Sequence, residues 1–386
     1  MRLPHPDQPG RNPLLDLARL LAALAVVGYH YTAYGPANSL TGGSQFPLLE
    51  PVFRYGYLGV PFFFLISGYV ILQSAQRCSA LQFALKRALR LYPAYWLAVP
   101  LAAVAAHTVP AIDSPSLQTL AINLTMVQGF LATPHVDGVY WTLTVELMFY
   151  AWVFGLLLIG QLDRLQLLAI SLLATATLHH TLGVPRVVYL LSMPDWSPYF
   201  VAGCCLHCWQ AHRQRGLSVL LWCWALALCL LQASAAATHI GSLIDSDVSA
   251  RTAGLLTGLA FVGFAAVTHF GRRVAVPFAA LAGALSYPLY LLHQNVGYAV
   301  YNRWSGTLDD TVLTVLLITA LLVACAGIAL LFEAPLRRSL RPFVLSPTRP
   351  GFWAHADQTR AASRGVRARP SAAGQRMTGT TGAWHR

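Results

Sequence analysis

The sequence predicts an all-α polytopic membrane protein with about ten transmembrane helices and both termini in the cytoplasm. Three observations predict this class. Hydrophobic residues make up 56% of the 386-residue chain and charged residues 10%, with a mean hydropathy of +0.54; soluble domains carry about 25% charged residues. Apolar runs of about 20 residues, the length that crosses a hydrocarbon core, recur along the chain. The connections between them alternate between Arg-rich and Arg-poor, as the positive-inside rule requires.

Ten runs qualify, at about 14–34, 57–76, 89–107, 140–160, 165–181, 187–208, 217–236, 252–270, 276–299 and 311–332. The first, LLDLARLLAALAVVGYHYTAYG, is longer than a signal-peptide core and has no clear cleavage site after it, so it reads as a retained helix. His179, His180 and Pro185 interrupt the chain between the fifth and sixth runs. The segment SLQTLAINLTMVQGF, 116–130, is too short and polar for a span and reads as interfacial or re-entrant. One set of connections holds Arg2 and Arg11; Arg77, Lys86, Arg87 and Arg90; Arg164; Arg213 and Arg215; Arg272 and Arg273; and Arg337, Arg338 and Arg341. The other holds only Arg54, Arg186, Arg251 and Arg303, which assigns the first set to the cytoplasm. Residues 343–386 are rich in Arg, Gly, Ser, Thr and Pro without apolar periodicity, and are expected to form a disordered basic tail. The predicted organisation is a cytoplasmic segment 1–13, a membrane domain 14–342 and the tail 343–386.

Two function classes are set aside. The net charge of +12 does not indicate nucleic acid, because the basic residues flank apolar runs and populate the tail. The stretch CCLHC, with Cys204, Cys205, His207 and Cys208, lacks a second ligand pair at zinc-site spacing and lies in an apolar run. Its cysteines read as small buried residues, and no metal is expected.

The remaining chemistry lies in ionisable groups inside the spans, where charge is costly and faces a cavity or a partner. Arg19 and His30 are eleven residues apart, about three turns and about 16 Å of rise. They share a helix face at different depths. A guanidinium can hold a phosphate or carboxylate two-pronged, and an imidazole can act as a general base near neutral pH. Ser67-Gly68 offers small residues for close helix approach; no base adjoins Ser67, and its flanks are not those of a nucleophile elbow. Lys86, Arg87 and Arg90 form a basic patch, an anchor at the membrane face and a dock for a nucleotide-like polyanion. Glu146 lies about 7–9 Å inside Trp141 by helical rise, at a depth similar to His30, where a carboxylate beside imidazole would orient its tautomer. Tyr290 and His293 are adjacent on a helix surface and could bind an acceptor hydroxyl or the carrier group. Glu333 and Arg337 read as a structural ion pair.

Taken in order, Arg19 with His30, FFFLISGY (62–69), KRALRLYP (86–93), WTLTVELMFY (141–150), SYPLYLLH (286–293) and FEAPLR (332–337) resemble the acyltransferase-3 family of integral membrane proteins, including bacterial glycan O-acetyltransferases. The resemblance covers about 320 residues and departs only at Leu91, where Ile is usual. It implies a multi-pass protein of the bacterial cytoplasmic (inner) membrane. It also implies a cytoplasmic acyl-CoA donor, most often acetyl-CoA, and as acceptor a surface or exported glycan or its polyprenyl-linked precursor. His30, Arg19, Arg87, Arg90, Glu146, Tyr150, Ser67, Gly68, Tyr290 and His293 fall on its motif positions. The implied catalytic set is His30, Glu146 and Arg19. Arg87, Arg90, Lys86 and Arg19 would hold the donor, and Ser67, Tyr150, Tyr290 and His293 would line the site. No hydrolase-like domain is expected beside the membrane unit, so that unit would transfer the group itself, directly or by a covalent relay. A transporter or flippase for a lipid-linked sugar and a non-catalytic scaffold in polysaccharide assembly are the rival classes.

Overall fold

The computed structural model describes residues 12–212 and 215–344, together with the side chains within them except those of Arg272 and residues 341–344. The segment 1–11, most of the tail 343–386 and Arg213 therefore lie outside the described residues. Those described form helices and connections, with no β-strand beyond one isolated bridge between Ser305 and Leu308.

Among the described residues, ten helices of 14 residues or more carry the fold: α1 Pro13–Tyr29, α2 Gly59–Ala75, α3 Ala80–Ala106, α4 Trp141–Leu158, α5 Leu165–Leu182, α6 Ser197–Gln210, α7 Arg215–Ile244, α8 Ala250–Phe270, α9 Ala279–Trp304 and α10 Asp310–Gly327. Helical segments containing eight of them are long and apolar enough to cross a membrane. The other two, α6 and α9, are 14 and 26 residues long and are mostly buried against their neighbours. Buried helices can carry polar side chains that a lipid-facing one cannot.

Several boundaries differ from the sequence reading; α7 and α9, for example, run to Ile244 and Trp304, beyond their predicted ends at 236 and 299. The third helix begins at Ala80, nine residues before the predicted start, because Ser79 and Gln82 form a capping box that satisfies the first backbone N–H groups. Pro93 and Pro100 sit inside it without ending it. The predicted sixth span, 187–208, is broken into a short helix Arg186–Ser192 and α6, since Met193 takes a left-handed conformation (φ 46°) and Pro194 follows. The segment SLQTLAINLTMVQGF, read as too short to span, folds with the residue after it as a short helix Leu117–Leu124 and a 3₁₀ turn Gln128–Leu131.

Close packing sets the helix directions. Gly68 of α2 meets Phe200 of α6 so closely that an added Cβ would lie 2.0 Å from the Phe200 carbonyl oxygen, and one on Gly203 would lie 2.1 Å from that of Leu65. Phe64 stacks on Phe200 at 4.8 Å, and His207 Nε2 lies 3.2 Å from Gln76 Oε1, so α2 and α6 run parallel. The Cys204 thiol donates to the Gly68 carbonyl at 3.2 Å, and Cys205 and Cys208 are buried. Among the described residues no group of three His, Cys, Asp or Glu side chains is placed to hold a metal ion. Helices α1 and α9 also run parallel, with Asp16 against Gly283, His30 against His293, and the Tyr31 hydroxyl donating to the His293 carbonyl at 2.6 Å. Alternation along the chain brings the start of α1, the α2–α3 connection and the segment after α10 to one end of the bundle, here the basic end.

Candidate active site

Helices α1, α2, α3, α4 and α9 enclose a cavity of about 510 Å³ toward the basic end. The capped, regular first turns of α3 put Lys86, Arg87 and Arg90 on its wall, and Arg19 and Arg337 join them. Each arginine is held in place. The Arg90 guanidinium lies 5.1 Å from the centre of the Tyr287 ring. That of Arg87 lies 5.7 and 5.8 Å from Phe83 and Tyr150 and donates to Ser74 Oγ at 3.3 Å. Arg19 pairs with Asp16 at 3.3 Å, and Arg337 with the buried Glu333. The Nε atoms of Arg87 and Arg337 are buried with no acceptor. Buried donors without partners are rare and costly, and charged ones call for an anion. Glu146, the carboxylate in this wall, accepts from the Tyr150 hydroxyl at 2.5 Å and from Ser67 Oγ at 3.2 Å.

A second cavity, of about 580 Å³, lies toward the opposite end and is lined by His30, Tyr57, Trp141, Asp195, Gln232 and Gln294, among others. The two cavities share Val60 and Tyr290 as a common wall. His30 opens a π-helical turn, His30–Tyr34, that continues α1; such turns break the regular backbone pattern and recur at functional positions.

Hydrogen bonding fixes the His30 tautomer. His293 Nδ1 lies 2.8 Å from the Tyr290 carbonyl oxygen and 3.2 Å from that of Leu289. Carbonyls only accept, so Nδ1 carries the proton and the neutral ring presents Nε2 as an acceptor. That Nε2 lies 3.0 Å from His30 Nδ1, which is also 3.0 Å from the Val26 carbonyl. Both neighbours accept, so His30 Nδ1 is the donor. This leaves His30 Nε2 with a free lone pair, the state a general base requires.

Arg19, Ser67, Lys86, Arg87, Arg90, Glu146, Tyr150 and Tyr290 thus line one cavity, and His30 lines the other with His293 behind it. The expected pairing of Glu146 with His30 is not what the fold builds. Counting rise from Trp141 estimates depth along α4 but not the direction in which Glu146 points, and α2 takes it toward Ser67. The carboxylate and imidazole occupy different cavities, and His293 is the imidazole's partner. The sequence indicates Arg337 as a basic-end arginine and half of an ion pair, which it is, but not its place in the first cavity. Gln232, Gln294, Tyr57 and Asp195 carry no motif signal and come together only through the packing of α7, α9, the 3₁₀ turn Gly56–Leu58 before α2 and the break before α6.

The chain also shows similarities to known proteins. A family model for acyltransferase-3, described as an acyltransferase domain, matches residues 12–333. Nodulation protein 10 of Rhizobium leguminosarum bv. viciae is 30% identical over 162 residues, which is 36% of this chain and 43% of that protein. Exopolysaccharide production protein ExoZ of Rhizobium meliloti (strain 1021) is 29% identical over 252 residues, 62% of this chain and 76% of its own length. No solved structure matches the chain significantly. With the family match extending from the first turn of α1 to the buried Glu333, the chain belongs to the acyltransferase-3 family of membrane proteins.

Proposed function

We propose that this protein is a membrane O-acyltransferase that moves an acyl group, acetyl first among the candidates, from acyl-CoA at the basic end to a hydroxyl of a glycan or its lipid-linked precursor at the other. One observation carries this reading: a cation-lined cavity and a cavity holding an unprotonated imidazole nitrogen meet at Val60 and Tyr290. The glycan is drawn from the relative whose name refers to exopolysaccharide production. The basic end is assigned to the cytoplasm of a bacterial inner membrane by the positive-inside pattern.

In this account the donor's phosphates lie against Arg87, Arg90, Lys86 and Arg337, with the unpartnered Nε atoms of Arg87 and Arg337 among the donors. The pantetheine arm passes Glu146, Ser67 and Tyr150 toward Tyr290, and Arg19 holds a polar part of the donor on the way. His30 Nε2 takes the proton of the acceptor hydroxyl as that oxygen attacks the thioester carbonyl. The Tyr290 hydroxyl stands at the junction, 2.9 Å from Thr142 Oγ1 and donating to the Val139 carbonyl at 3.2 Å; because Thr142 Oγ1 also donates to that carbonyl, at 2.9 Å, Tyr290 can turn its one hydrogen to the tetrahedral oxyanion. Collapse breaks the carbon–sulfur bond, the CoA thiolate takes the proton from His30, and the ester remains on the glycan. His293 keeps the imidazole's other nitrogen engaged throughout. Glu146 is a positioning group for the first cavity, hydrogen-bonded to the Tyr150 and Ser67 side chains.

Incubation of the purified protein with acetyl-CoA and cell-surface glycan tests this. CoA is released and the glycan gains the mass of an acetyl group; His30→Ala stops both in a protein that still folds. Glycan movement across a vesicle membrane without CoA release would overturn the reading in favour of a transporter.

A further inference from the structure

Three residues that line the second cavity, Gln232, Gln294 and Tyr57, carry buried oxygens without a hydrogen-bond partner, and these point to the chemistry of its ligand. Gln232, 7% exposed, donates from Nε2 to the Pro194 carbonyl at 2.8 Å and lies 3.0 Å from His180 Nε2. The carbonyl only accepts, which identifies Nε2 as the nitrogen, and the two contacts use both of its hydrogens. Its Oε1 is buried with no partner. Gln294, 8% exposed and next in sequence to His293, likewise has an unpartnered Oε1, and the Tyr57 hydroxyl on the same cavity wall is a third orphan. Trp141 and Trp196, with ring centroids 4.8 Å apart, supply a broad aromatic surface beside them.

Unpartnered carboxamide oxygens need a hydrogen-bond donor and do not need a cation. Aromatic surface needs an apolar face. A pyranose ring offers both, C–H groups across its face and hydroxyls around its edge. We infer that this cavity is a sugar-binding subsite in which Gln232 Oε1 and Gln294 Oε1 accept hydrogen bonds from ring hydroxyls neighbouring the one presented to His30, while the tryptophans pack against the ring. The inference rests on the acyltransferase reading and narrows its acceptor to a polyhydroxylated ring held by at least two hydroxyls besides the reacting one. A few fixed polar groups in an otherwise apolar cavity set ligand orientation, and a site built to bind a hydroxyl rejects the analogue that lacks it.

The test uses the full chain in nanodiscs, with acetyl-CoA and octyl β-D-gluco-, galacto- and mannopyranosides, their single-deoxy analogues, and 1-octanol. At least one glycoside should accelerate CoA release and 1-octanol should not. Deleting one non-reacting hydroxyl should raise KM about tenfold. Gln232→Met should raise KM for the parent glycoside by a similar factor, more than it alters KM for acetyl-CoA, and should remove the penalty of one deoxy analogue. Equal use of 1-octanol, deoxy analogues all within twofold of their parents, or a penalty that persists in both Gln232→Met and Gln294→Met would overturn the inference. If Gln232→Met does not fold, the deoxy series on the wild-type protein decides. If no CoA is released with any acceptor, the acyltransferase reading fails separately. Calorimetric titration of the glycosides then decides the subsite: binding weakened about tenfold by Gln232→Met supports it, and binding that is absent or unchanged overturns it.

Discussion

Replacing His293 by alanine separates two roles that imidazoles can play in this site. If His30 is the base, its removal forfeits general base catalysis, a factor of about 10²–10⁴. The cost of losing His293 is smaller and follows from the contacts. His30 Nδ1 has two acceptors at 3.0 Å, His293 Nε2 and the Val26 carbonyl. The carbonyl survives the substitution, so the reactive tautomer survives too. What is lost is one hydrogen bond to an imidazole that becomes charged in the transition state, about 1.5–3 kcal/mol, or about 10–150-fold in kcat at 1.36 kcal/mol per tenfold. His293→Gln, long enough to return an oxygen near the Nε2 position, should recover part of it. The double variant should be no slower than His30→Ala alone, because the partner has nothing left to position. The assay is CoA release under saturating acetyl-CoA and acceptor, with folding checked by gel filtration. A folded His293→Ala protein as inactive as His30→Ala would make His293 itself the base and refute the reasoning, as would one with undiminished activity.

Other outcomes follow from the same contacts. Arg87→Ala and Arg90→Ala should each raise KM for acetyl-CoA about tenfold with less effect on kcat, as expected for charge-assisted bonds to a bound polyanion; steady-state kinetics with unchanged KM would remove them from the donor site. Gly68→Ala should lower stability by about 1–3 kcal/mol through overpacking, since its Cβ would fall 2.0 Å from the Phe200 carbonyl; a thermal melt equal to wild type would mean that α2 and α6 are not so close. Asp137, at the turn before α4, gives a pH signature. Burial pushes its carboxyl up to about 7, against the opposing backbone N–H bonds from Asn295 and Val139. The folded state therefore holds a proton that the unfolded chain, near 3.8, releases first. This contribution to stability is complete below about pH 4 and declines by roughly 1.4 kcal/mol per pH step until about pH 7. Asp137→Asn should flatten the fall in melting temperature between pH 4.5 and 7.5, whereas the same slope in both proteins would assign it elsewhere.

Much of the fold was legible because lipid imposes a simple rule. Apolar length located the helices, and α5, α8 and α10 begin or end within two residues of their predicted bounds at most of their termini. The misses have local causes. The capping box at Ser79 extends α3 by nine residues of mixed polarity, which a hydropathy window excludes. Met193 and Pro194 sit inside an apolar run whose average hides the break. The site was legible as a list of residues but not as contacts. Helical spacing put Arg19 and His30 on one face, and the structure assigns them to successive cavities along that face. Nothing in a one-dimensional pattern pairs residues 263 positions apart, so the His30–His293 contact waited for the parallel packing of α1 and α9. The same holds for Gln232 and Gln294, whose significance is an unmet hydrogen bond and therefore exists only once their neighbours are known.

The central claim is that the acyl group passes directly from a donor in the basic cavity to a hydroxyl activated by His30 in the other. Its most direct test is to incubate the purified protein with acetyl-CoA labelled in the acetyl group, quench rapidly, and follow the label with and without glycan acceptor. Direct transfer predicts label on the glycan when acceptor is present, none bound covalently to the protein when it is absent, and neither with His30→Ala. A labelled protein formed without acceptor, which then passes its label to added glycan, would contradict direct transfer.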